Sequence, residues 1–237
     1  MAAAVRRDHL ATADGRVFGL MNLESVCDGY CEEQWPEVVD AHFAALLEAF
    51  PGAPPELGPD QIRDGVHARL VLADPHSPAV DYAYARRLGT DLIGLLAHVT
   101  GSMVRWLTDE EVALVGADEL WSLGLGRVDR IRPQDCELID TRAGAFCTLR
   151  GRSGFIASKA LVLAETVGLL LGPDFDPDEG LLVGVPTRHE LAFMPTWATA
   201  AGRDAFSTYT AQEFANGVAP LSPHVYRWGD GQFDRLA

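Results

Sequence analysis

Ten residues, "PGAPPELGPD" at 51–60, hold four prolines and two glycines. Proline fixes φ and lacks the amide proton that a helix interior or an inner strand needs, so no regular element runs through this stretch. It therefore ends whatever helix precedes it. The 237 residues are enough for one sizeable domain or two small lobes. The chain reads as a single domain over 1–237, with the Pro-rich loop at 51–60 placed to separate two lobes.

The segment before that loop is the acidic part. Residues 1–64 carry 12 acids and 4 bases, more than half of the chain's formal charge of −15. Such a field repels nucleic-acid phosphates and anionic lipid, and it suits a basic protein partner. "DGRVFGLMN" reads as a strand or hairpin arm. "NLESVCDGYCEEQ" spaces Leu23, Val26, Cys27, Tyr30 and Cys31 as one helix face, with both cysteines buried and inert. Pro36 suits the first turn of a second helix, whose apolar face is Val38, Val39, His42, Phe43, Leu46, Leu47 and Phe50. This N-terminal helical pair meets near Trp35. Its polar side, Asp28, Glu32, Glu33, Glu37, Asp40 and Glu48, is the candidate partner-binding face.

After the loop, "VHARLVLA", "DLIGLLAHV" and "SMVRWLT" read as strands. Thr108 precedes "DEEVALVG" as an N-cap with acids in the first turn. "ADELWSLGLGRVDRI" continues as a helix weakened by Gly124 and Gly126. "CELIDTR" and "AFCTL" form an antiparallel pair about Ala143-Gly144, followed by a helix from about Ile156 to Leu171. "LLVGVP" and "HELAFMP" make a hairpin. A helix near Arg203–Asn216 and a short strand, "HVYRW", close the chain. Locally pairing strands with interspersed helices predict an α+β fold, with a mixed or largely antiparallel sheet and helices packed on it.

Candidate chemistry centres on two turns. "RGRSG" stands between a strand and a helix, but Phe155 occupies the second glycine position of a nucleophile elbow. The glycine spacing of a phosphate loop is also missing. What remains is an anion site built from helix-start amides, Arg150, Arg152 and Ser153, joined by Arg188 and His189 if the two turns meet in space. His189 with Glu190 would then be an acid–base pair. "PDFDPDEG" has alternating aspartates but Glu179 at the glycine position of a calcium loop, and reads as an acidic connection. Cysteine and histidine spacings give no metal site and no cofactor motif follows any strand, so no metal and no cofactor are expected. One lysine against eighteen arginines reflects GC-rich codons.

"FIASKALVLAETVG" followed by "LLVGVPTRHELAF" resembles the C-terminal part of the YtpQ-like bacterial proteins of unknown function. "GRVFGLMNLESVCDGY" and "VRWLTDEEVALVGADELWSL" are similar to that family's earlier segments, in the same order. The family's turn has aspartate after arginine, where this chain has His189. The resemblance implies a small cytosolic α+β protein and carries over no catalytic residue.

The resulting expectation is a cytoplasmic bacterial protein that is not an enzyme. It would be a protein-binding module of adaptor or toxin-neutralising type, with another protein as partner and neither nucleic acid nor membrane. The alternative is an enzyme or binder acting on a small anionic molecule at the Arg150/Arg152 and Arg188/His189 turns.

Overall fold

The computed structural model describes residues 3–6, 9–12, 17–19, 23, 27, 30–49, 56–73, 81–100, 103–171, 180–229 and 231–236. It divides into two compact units, Met1–Glu56 and Leu57–Ala237. The division falls inside the Pro-rich stretch, of which 51–55 lie outside the described residues.

In the first unit, β1 (Ala3–Arg6), β2 (His9–Thr12) and β3 (Val17–Gly19) form an antiparallel sheet in that order. Leu23 and Cys27 are helical and buried, while most of the first helix of the expected pair lies outside the described residues. Glu32–Gln34 make a 3-10 turn that leads into α1 (Trp35–Ala49). Trp35 Nε1 donates to the carbonyl oxygens of Cys27, at 2.9 Å, and Tyr30, at 3.3 Å. Cys31 is exposed rather than buried, because the chain leaves helical geometry there to begin the 3-10 turn.

The second unit is α+β with antiparallel ladders. α2 (Pro59–Gly65) opens on Pro59 at its first position, where a missing amide proton costs nothing. β4 (Val66–Leu72) pairs along its length with β6 (Leu92–Thr100), and β5 (Arg86–Arg87) and β7 (Met103–Trp106) share the far edge of β6. Thr108 caps α3 (Asp109–Ala113) through a reciprocal capping box with Glu111. α4 (Ala117–Arg130) then crosses β4. A Cβ on Gly124 would stand 2.8 Å from the Ala68 nitrogen, so this glycine admits the strand rather than merely weakening the helix.

β8 (Asp135–Thr141) and β9 (Gly144–Arg150) form the expected hairpin, and Gly144 takes its φ of 149° at the turn. The 3-10 segment Ala157–Val162 and α5 (Leu163–Leu171) follow. β10 (Leu181–Gly184), β11 (Glu190–Pro195), α6 (Ala200–Asn216), β12 (Val225–Gly229) and β13 (Gln232–Arg235) complete the unit. The second sheet runs β13-β12-β10-β11-β9-β8. One face of it buries Leu149, Leu191, Val183 and Phe193 against Ile156, Ala160 and Val167. The other buries Phe146, Ala192 and Met194 against Phe206 of α6. No helix among the described residues is long and apolar enough to cross a membrane.

Candidate functional site

The site begins on β4, "VHARLVL". Successive strand residues face opposite ways, so His67 and Arg69 share one face. Register places Trp106 on that face too, since Ala97 lies opposite both His67 and Trp106. The other edge of β4 is closed by side chains: Ser158 Oγ accepts the Leu70 amide proton at 3.0 Å, and Arg127 donates to the Val66 carbonyl at 2.7 Å. The strand is thereby tied to the segment that follows β9.

The two turns named by the sequence do meet. Glu190 and Arg150 are the last ladder pair between β11 and β9. Beyond it, the Gly151 amide donates to the His189 carbonyl at 3.1 Å and the Ala157 amide donates to the Arg188 carbonyl at 3.2 Å. His189 Nδ1 lies 3.3 Å from the Gly151 carbonyl oxygen. These bonds set Phe155 against β4, where its ring centroid is 5.2 Å from that of His67.

Arg69 stands at the centre of this arrangement. It is 8% exposed, and among the described residues it makes no hydrogen bond and no ion pair, its Nε being buried without an acceptor. Its guanidinium carbon lies 5.1 Å from the Phe155 ring centroid and 5.6 Å from that of Trp106. Each such cation–π contact contributes roughly 0.5–2 kcal/mol. Removing an ion from water without a counter-charge costs several. Burial first, and then the charge of Arg188, push the Arg69 guanidinium down to about 9. Nη2 of Arg69 would lie 4.0 Å from a Cβ on Gly154, and Cε1 of His189 would lie 3.9 Å from the same point. Both side chains therefore border the space over Gly154.

The expected anion site is rearranged accordingly. Arg152 is exposed and Ser153 half-buried. Ser153 Oγ accepts the Phe155 amide proton at 3.3 Å, closing a local turn instead of capping a helix. The amides of Ile156, Ala157 and Ser158 donate to the carbonyls of Ser153, Arg188 and Phe155, so the helix-start amides are committed to protein oxygens. Arg188, half-buried, is lowered by burial.

Arg150 and Glu190 point the other way, to α6. Arg150 Nε is 3.3 Å from Glu190 Oε2, and its Nη2 lies 2.5 Å from the Tyr209 hydroxyl and 3.4 Å from Glu213 Oε2. The Tyr209 hydroxyl donates to Glu190. Burial raises the Glu190 carboxyl although Tyr209 and Arg150 oppose the change. Burial alone would lower Arg150, but Glu190 and Tyr209 carry it upward. The two directions conflict because Glu190 is the more deeply buried partner, and its desolvation decides its own balance. Strand alternation thus removes Arg150 from the Arg188/His189 turn and Glu190 from partnership with His189.

In the first unit, Glu32, Glu33, Glu37 and Asp40 are exposed. Glu37 also lines a shallow concavity with Tyr30, Val38, Ala41 and His42. Asp28 and the Glu48 side chain lie outside the described residues, as does the aspartate run of 173–179. Among the described residues no three His, Cys, Asp or Glu side chains gather in a way that could hold a metal ion.

Arg69, His67 and Trp106 are the members that sequence reasoning passed over. The available signal was a pair of polar residues two apart in an otherwise apolar strand. No protein-family model matches this chain, and no curated protein or solved structure matches it either.

Proposed function

We propose that this protein binds a small anionic molecule in the space over Gly154, bordered by Arg69 of β4 and by the joined turns at 151–155 and 187–189. The observation that carries the reading is Arg69, a buried guanidinium without an acceptor or counter-charge among the described residues. Arginine has five donors in a fixed fork and is not relieved by losing its proton near neutrality. Placing it there costs stability unless an anion comes to it. Arg188 is close enough to act on the Arg69 charge, and the His189 ring borders the same space.

The test is thermal unfolding of wild type and Arg69→Met in rising acetate, sulfate and phosphate at fixed ionic strength. A saturable rise in Tm for at least one anion, in wild type only, supports the reading. Equal shifts in both proteins, as general salt exclusion would give, would refute it.

The exposed acids Glu32, Glu33, Glu37 and Asp40 favour a second reading, in which the first unit docks a basic protein partner by charge. Such a complex loses affinity as salt is raised, and retention of the partner unchanged at high salt counts against it. Kinship with the YtpQ-like proteins is a separate proposal, on which neither reading depends.

A further inference from the structure

We infer that the anion taken by this site is a carboxylate carried on an apolar body. The inference rests on the anion-binding reading and narrows it. Protein sites for phosphate are commonly built from amide groups at glycine-rich turns and helix starts, which can surround a tetrahedral ion. Here the amides of Phe155, Ile156, Ala157 and Ser158 are already bound to protein oxygens. Arg69 is the buried side chain there with no hydrogen bond among the described residues, and its guanidinium is a planar fork whose geometry matches a carboxylate through two parallel hydrogen bonds. Arg188 is close enough to press on the Arg69 charge but is itself engaged.

The surroundings specify the rest of the molecule. The Arg69 guanidinium lies over the Phe155 and Trp106 rings, so aromatic carbon stands close to its N–H groups. A ligand that reaches those N–H groups has the Phe155 ring near it, and the His67 ring packs against Phe155. Apolar atoms attached to the carboxylate lose water there, whereas a bare ion gains nothing from these rings.

Gly154 supplies a control that leaves the charge untouched. A methyl group at this position meets nothing nearer than 3.9 Å, at His189 Cε1, with Arg69 Nη2 at 4.0 Å. Gly154→Ala therefore fits the fold while filling the approach to the fork.

The experiment is titration calorimetry of wild type, Arg69→Met and Gly154→Ala with benzoate, acetate and phosphate at constant ionic strength. Saturable benzoate binding in wild type, tighter than acetate and at least tenfold weaker in both variants, is the expected result. Acetate binding as well as benzoate overturns the apolar body. Saturable, Arg69-dependent binding of phosphate but not benzoate overturns the carboxylate while the anion-binding reading stands. Binding of none of the three overturns both, and benzoate binding unchanged in Gly154→Ala or in Arg69→Met overturns the placement over Gly154.

Discussion

Lys159, the only lysine of the chain, is 5% exposed, and its Nζ donates to the carbonyls of Asp129 at 3.1 Å, Ile131 at 3.2 Å and Val128 at 3.4 Å. These lie at the C-terminus of α4, where the Val128 carbonyl also accepts the Ile131 amide proton and the helix dipole favours a cation. Burial lowers the Lys159 ammonium and the nearby Asp129 opposes the change. The residue thus acts as a buried helix clamp, a role that codon usage does not account for. Lys159→Met leaves the Asp129 and Ile131 carbonyls without this donor and is expected to lower stability by about 2 kcal/mol, measured by urea unfolding. An unchanged midpoint would show that the clamp does nothing.

Glu190 makes the opposite kind of bargain. Its carboxyl is raised above the ordinary 4.5. As pH falls from neutrality through that raised value, the folded state takes up a proton before the unfolded state does, and stability rises until the ordinary value is reached. Glu190→Gln keeps an acceptor for Tyr209 and removes the titration. The difference in unfolding free energy between wild type and Glu190→Gln is therefore expected to move in favour of wild type as pH is lowered across that window. A difference that is flat, or of opposite slope, contradicts the account.

At the scale of elements, Ser158 shows how a strand edge is joined to a helical segment. Its Oγ serves the Leu70 amide of β4, a group that no strand among the described residues reaches on that side. Ser158→Ala leaves a buried N–H unpaired, at a cost of roughly 1–3 kcal/mol. Hydrogen exchange at Leu70 should accelerate more than exchange in the β8–β9 hairpin. Equal acceleration everywhere would mean the bond has only a global effect.

Much of this architecture was legible from periodicity and turn chemistry. The apolar runs of β4, β6 and β7, the Thr108 cap, the Ala143-Gly144 turn and the β10–β11 hairpin all follow from local pattern. β5 has only two residues and is charged, and β13 carries one buried residue in four, Phe233, so neither has a readable alternation. The helix expected from Ile156 begins instead as a 3-10 segment, whose Ser158 and Lys159 side chains serve two different neighbours. The meeting of the two turns is a product of the β9–β11 ladder, which sequence cannot align. Strand alternation was visible in principle. Applied to "TLRGRSG" and "RHELAF", it sends Arg150 and Glu190 to the α6 side, and applied to "VHARLVL" it pairs Arg69 with His67.

For the molecule as a whole, Arg69, Trp106, Phe155, Arg188 and His189 all belong to Leu57–Ala237. That unit has its own cores on both faces of its larger sheet, as an independently folding domain requires. A 57–237 fragment is expected to unfold cooperatively and to bind benzoate with the affinity of the full chain. A fragment that unfolds cooperatively but has lost binding would assign part of the site to the first unit.

The central claim is that this fold gives up stability to keep an uncompensated charge where a ligand can use it. The most direct measurement is the urea unfolding free energy of Arg69→Met against wild type, in buffer without carboxylate or phosphate. Methionine fills similar space, removes the buried charge and retains packing against Phe155 and Trp106. The account predicts a variant more stable than wild type, by roughly 1–4 kcal/mol. A variant less stable than wild type would show that Arg69 holds the fold together, and the claim would fail.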